Sequence, residues 1–147
     1  MDYEHTKALI IADEGLKQFL YNDLTGKRIY SEKGKMTCGI GRNVEDKGFS
    51  LDEIGLMFDN DIQHCVDSLH ARLPFFDQLK DEYQYVLVNM AFNMGIDGLM
   101  AFHQFLHFMS VGAFISAAAD LRTTQVYKQL PSRYERLCVL LEKGEWQ

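Results

Sequence analysis

Six of the eleven glycines fall between Gly15 and Gly48, and this crowding constrains the fold more than any other feature of the chain. A segment that must turn so often does not form one long helix. Between the glycines lie short runs of β-favouring residues: Gln18-Phe19-Leu20-Tyr21, Arg28-Ile29-Tyr30 and Met36-Thr37-Cys38-Gly39-Ile40. Residues 17–42 are therefore expected to form a small antiparallel sheet or a pair of hairpins. Ahead of them, Tyr3 to Ala12 reads as a short helix with Ala8, Ile11 and Ala12 on one face.

Beyond Gly48 the pattern turns helical. Ser50-Leu51-Asp52-Glu53 pairs a hydroxyl residue with a glutamate three positions on, a capping-box start. Ile54, Phe58, Ile62, Cys65 and Leu69 follow at helical spacing, which predicts a helix from Leu51 to about Ala71, stopped before Pro74. Residues 83–94 are apolar nearly all round, as a helix buried within a bundle is, with Gly95 as its stop. Shorter helices are expected at 99–109, 111–122 and 132–142. The chain holds only two prolines, so long helices are permitted. The expected fold class is a predominantly helical α+β domain, and 147 residues suit one domain.

Hydrophobic residues make up 47% of the chain and charged ones 24%, an ordinary globular balance that excludes disorder and collagen-like sequence. No apolar run approaches the roughly 18 residues of a membrane helix. Fifteen basic residues against 21 acidic ones leave a net charge of −6, a poor basis for gripping phosphate backbones. Neither membrane insertion nor a nucleic-acid partner is expected. Against this acidic background Lys27, Arg28, Lys33 and Lys35 crowd into nine positions. Such a run is ordinarily a solvated hairpin tip, the other reading being contact with an anionic polymer. Cys38, Cys65 and Cys138 are odd in number and widely spaced, which predicts reduced, mostly buried thiols. Met-Asp-Tyr-Glu-His-Thr-Lys lacks the basic and apolar parts of a secretory signal, so a cytoplasmic start is expected.

Three short pieces carry the chemistry. Asp13-Glu14-Gly15 ends the first helix, Tyr21-Asn22-Asp23 ends a strand, and Thr37 leads directly into Cys38-Gly39-Ile40-Gly41. Taken singly, Glu14 is an ordinary helix-end residue and Asp23 before Leu-Thr-Gly is what a turn favours. Together, with eight residues between Glu14 and Asp23, they resemble the phage-type lysozymes, a family of muramidases. Residues 51–62 resemble the start of the long helix joining that family's two lobes, and 88–95 its buried central helix. Residues 131–136 with Gly144-Glu145-Trp146 resemble its C-terminal end. The stretch between Asp23 and Thr37 is longer than the family's and contains the basic cluster. Arg42 stands where the family often has histidine.

The resemblance implies a lysozyme-like two-lobed fold: a β-containing lobe over 1–50, a connecting helix over 51–71 and a helical lobe over 72–147, with the sugar cleft between the lobes. It implies hydrolysis of the β-1,4 bond between N-acetylmuramic acid and N-acetylglucosamine in peptidoglycan, without cofactor or metal. That reaction takes one protonated carboxyl at the leaving oxygen and one ionised carboxylate across the sugar ring, about 6.5–9.5 Å apart where configuration is inverted. Glu14 is then the acid, Asp23 the base or electrostatic stabiliser, and Thr37 the hydroxyl that orients water. Arg133 would anchor Glu14, and Phe92, Asn93 and Gly39 would contact the saccharide. The expected partner is the glycan strand of peptidoglycan, attacked in the periplasm by a monomer that leaves the host cytoplasm through a holin or another delivery system. The rivals are a lytic transglycosylase, which forms an anhydro-sugar, and a non-catalytic wall-binding module. Other motifs carry less: His103 and His107 lack an accompanying H-E-x-x-H, Cys38 lacks a partner base, and Gly39-Ile40-Gly41 lacks the third glycine of a dinucleotide loop.

Overall fold

Every residue from Tyr83 to Ala91 is buried, as a run without a polar face requires. In the computed structural model, which describes residues 1–146, this run lies within a predominantly helical α+β chain. Its helices are α1 (Tyr3–Glu14), α2 (Val44–Lys47), α3 (Leu51–Arg72), α4 (Asp81–Met100), α5 (His103–Ser110), α6 (Phe114–Thr123), α7 (Gln125–Gln129) and α8 (Pro131–Lys143). The strands β1 (Thr37–Cys38) and β2 (Arg42–Asn43) form one antiparallel pair. The chain divides into two compact units, one of Met1–Asp13 with the chain from Asp61 onward, the other of Glu14–Asn60. The divisions thus fall inside α1 and α3, so most of α1 belongs with the helices rather than with the turn-rich segment.

In the helical unit α6 packs on α5 and α8, and α8 also packs on α4 and α7. Val86, Leu87, Val88, Leu99, Phe105 and Leu121 are fully enclosed, each contributing roughly 1.5–3 kcal/mol relative to an exposed side chain. Gly95 does not stop α4. It takes a non-helical φ of 78° and ψ of 160°, a break after which helix resumes to Met100. That extra piece delays α5 to His103. The buried face of α1 is Thr6 and Ile10, with the Asp13 side chain 6% exposed, not Ala8, Ile11 and Ala12. Positions 6, 10 and 13 are one helical stripe, and its phase is fixed by the ion pair that Asp13 makes with Arg136.

The capping box at the start of α3 is present: Glu53 N–H donates to Ser50 Oγ at 3.2 Å and Ser50 N–H to Glu53 Oε2 at 2.8 Å. The expected sheet over 17–42 reduces to two small hairpins. In the first, Tyr21 bridges Arg28 around a turn from Asn22 to Gly26. In the second, Thr37 pairs with Asn43 and Cys38 with Arg42. Gln18–Leu20 is not a strand because its carbonyls serve different partners, Gln18 O accepting from Phe49 and Leu20 O from Ile29. Met36 does not extend β1, since its carbonyl accepts from Val44 and Glu45 at the start of α2. That short helix is absent from the sequence expectation; Asn43 caps it, accepting from Asp46 N–H at 3.1 Å.

Within Glu14–Asn60 only Val44, Glu45 and Gly48 are buried. Glu45 is the hub. Its Oε2 accepts from Ser31 N–H and Ser31 Oγ, each at 2.7 Å, and its Oε1 from Lys35 Nζ at 2.8 Å. Its main-chain carbonyl accepts from Arg28 at 2.5 Å. The lysine and the two serine donors hold the Glu45 carboxyl down to about 2. Arg42 adds a second staple, donating to Gly48 O and to both Glu53 oxygens. Gly48 sits at φ 62°, and a Cβ there would lie 2.3 Å from Gln18 O, so only glycine lets these loops meet.

Candidate active site

Glu14 is the last residue of α1, and Gly15 turns the chain away at φ 74°. Asp23 lies in the turn of the first hairpin, where its Oδ1 accepts from Leu24 N–H at 2.9 Å. Asn22 shapes that turn, its side chain accepting from Thr25 N–H at 3.0 Å. Thr37 is on β1, its hydroxyl donating to Lys35 O at 3.0 Å. Gly39, at φ 55°, opens the tight turn between the two strands. The structure gathers these four residues into one unit and leaves all of them exposed. Two carboxylates and a hydroxyl thus reach solvent from three separate elements, each fixed by local hydrogen bonding.

Arg133, Phe92 and Asn93 belong to the other unit. Arg133 is buried, its Nε donating to Asn89 Oδ1 at 2.8 Å and lying 3.6 Å from Asp13 Oδ2. The Asn93 side chain accepts from Tyr134 Oη at 3.0 Å. Half-buried Phe92 lines a cavity of about 480 Å³ together with His64, Cys65 and Gly95.

Four residues beside this set, Asp13, Tyr85, Asn89 and Arg136, have no role in the sequence reading. Asp13, immediately before Glu14, pairs with Arg136 and accepts from Asn89 Nδ2 at 3.1 Å. Asn89 is wholly buried and also donates to Tyr85 Oη at 2.9 Å, so its amide and carbonyl are both engaged. Burial, and then the Asp13 charge, push the Tyr85 phenol up to about 12, so it stays neutral. This network fixes the final turn of α1 ahead of Glu14. The signal for it was the helical phase of Thr6, Ile10 and Asp13, which turns an acidic residue inward and so demands a cationic partner.

The basic cluster is largely consumed internally. Lys35 pairs with Glu45 and Asp46. Arg28 holds the Glu45 carbonyl and lies 3.7 Å from the Phe19 ring centroid. Lys27 and Lys33 are the exposed remainder. The three thiols are free, yet only Cys138 is buried; Cys65 is half-buried and Cys38 is exposed in the hairpin. Two-residue strands have no covered face on which Cys38 would be enclosed. Burial pushes the Cys138 thiol up to about 11, a poor nucleophile. His103 and His107 are both exposed. Among the described residues no single helix is long and apolar enough to cross a membrane. No protein-family model matches the chain.

Proposed function

We propose that this protein has a lysozyme-like fold and is a muramidase, hydrolysing the β-1,4 bond between N-acetylmuramic acid and N-acetylglucosamine in peptidoglycan. The observation that carries the reading is the triad of exposed side chains on Glu14–Asn60. Glu14 at a helix end, Asp23 in a hairpin turn and Thr37 on β1 occur in the order that phage-type lysozymes use. Glu14 gives its proton to the leaving glycosidic oxygen as the bond to the anomeric carbon breaks. Asp23, as carboxylate, takes a proton from the water that attacks the opposite face, or stabilises the positive charge developing there. Thr37 orients that water. Attack from the far face inverts the anomeric centre. The enclosed Asp13 carboxylate, held by buried Asn89 and by Arg136 at the surface, supports the role of Glu14, because a general acid loses rate quickly when its position wanders. The substrate lies outside the inner membrane, and the enzyme reaches it when a holin or another delivery system opens the way.

Digestion of purified sacculi tests this reading. Mass spectrometry of the soluble products should find muropeptides with a reducing N-acetylmuramic acid end. Proton NMR early in the digest should find the new end as the α-anomer. A 1,6-anhydromuramyl product would identify a transglycosylase instead. Intact sacculi after prolonged incubation with folded protein would leave only a wall-binding module.

A further inference from the structure

The first hairpin has one face made of rings. Tyr21 and Arg28 are directly opposed across the bridge, so their side chains share a face. Phe19 and Tyr30 stand two positions from them along each arm and fall on the same side. The arginine confirms this register: its guanidinium carbon lies 3.7 Å from the Phe19 ring centroid and 5.0 Å from that of Tyr30. Yet the three rings are not used to make a core, being 36%, 41% and 59% exposed at Phe19, Tyr21 and Tyr30. An aromatic face built around a central arginine and left open to solvent can stack on a flat partner.

We propose that this face binds the glycan strand itself, with Tyr30 stacking on the C–H face of an N-acetylglucosamine residue near the bond that is cleaved. This deepens the muramidase reading and rests on it. Three observations select this partner. The hairpin carries Asp23 in its own turn, two residues from Tyr21, so the aromatic face and one candidate catalytic side chain share a single hairpin. The Arg28 guanidinium is already engaged by the Glu45 carbonyl and by two rings, so the face offers chiefly ring surface, which suits the C–H face of a sugar. A chain of net charge −6 is poorly suited to single-stranded nucleic acid, the other common partner of aromatic platforms. Because Arg28 fixes the ring, little side-chain freedom is lost when the sugar arrives.

The test is equilibrium binding of tetra-N-acetylchitotetraose to the full chain carrying Glu14→Gln, which halts turnover, measured by calorimetry. Tyr30→Leu keeps the apolar bulk and removes the flat ring, and it should weaken binding roughly three- to tenfold. Tyr30→Phe should stay within about twofold of the parent. Equal affinity in the Tyr30→Leu protein overturns the proposal, as does absence of binding by the Glu14→Gln parent. Binding of oligothymidylate through Tyr30 without binding of the tetrasaccharide overturns it in favour of nucleic acid. The two readings fail separately. Tyr30-dependent sugar binding by a chain that leaves sacculi intact keeps the platform and removes the muramidase. Cleavage of sacculi by the chain with Glu14 intact, with unchanged sugar binding in Tyr30→Leu, does the reverse.

Discussion

In the helical unit Leu87, Met90, Leu99 and Leu121 are entirely enclosed, whereas in Glu14–Asn60 the most deeply buried carboxylate is Glu45 and the apolar Leu24 and Ile40 stand in solvent. One unit is held by an apolar core, the other by hydrogen bonds and ion pairs around a few polar hubs. The difference matters because the candidate catalytic side chains are on the second. A core of aliphatic side chains is indifferent to pH. A scaffold of Glu45 with Ser31 and Lys35, and Arg42 with Glu53, responds to protonation at each hub. Such a unit opens locally well before the global transition.

The largest effect should come from damaging the core. Leu87→Ala should lower global stability by about 2–5 kcal/mol, read by denaturant unfolding followed by far-UV circular dichroism. Leu24→Ala, at a side chain 90% exposed, should barely move the same midpoint. If both substitutions cost the same, the division into an apolar and a polar unit is wrong.

Glu45→Gln comes next and should act on one unit only. Hydrogen exchange should accelerate at Ser31, Val44 and their neighbours, while the amides of α4 keep their protection. Acid should reproduce this without mutation. The Glu45 carboxyl is held near 2, below its ordinary 4.5, first by Lys35 and then by the Ser31 N–H. Its stabilising contribution is therefore complete above about 4.5 and disappears as pH falls through about 2. Glu135 and Glu142 are also held low, both chiefly by Arg122, so the helical unit loses something in acid while its core remains. Amide shifts followed by NMR from pH 6 to 2 should show residues of Glu14–Asn60 moving while α4 stays, and Glu45→Gln should remove the part of that movement around Ser31 and Lys35 while leaving the part around Arg42 and Glu53.

The smallest effect should follow Lys27→Ser with Lys33→Ser. Both lysines are exposed, and unlike Arg28 and Lys35 they do not take part in the hydrogen bonds to Glu45. The double variant should unfold like the parent and clear sacculi at nearly the parent rate, slowing only at low ionic strength, where screening is weakest. A large loss at high salt would mean that these lysines contact substrate directly.

What the sequence disclosed follows the same division. Residues 83–94 announced a buried helix because an apolar run without a polar side has one physical outcome, and Ser50 with Glu53 announced a helix start because both partners lie within one turn. The hairpins were legible as turns through their glycines, yet not as ladders, since two-residue strands leave too short an alternation to read. The burial of Glu45 was invisible, because Ser31 and Lys35 approach it from 14 and 10 positions away. Glu14, Asp23 and Thr37 stood out only through their resemblance to the phage-type lysozymes. The Asp13 network did not, since Asn89 and Arg136 meet Asp13 only after α1, α4 and α8 have packed.

The most direct test of the central claim is the rate at which Glu14→Gln clears purified sacculi, compared with the parent at equal concentration. Circular dichroism and the unfolding midpoint should establish that the variant is folded. Removing a sole general acid while retaining its shape should slow clearing about 10²–10⁴-fold. Clearing by the folded variant at a rate near that of the parent would contradict the assignment of Glu14 and, with it, the proposed mechanism.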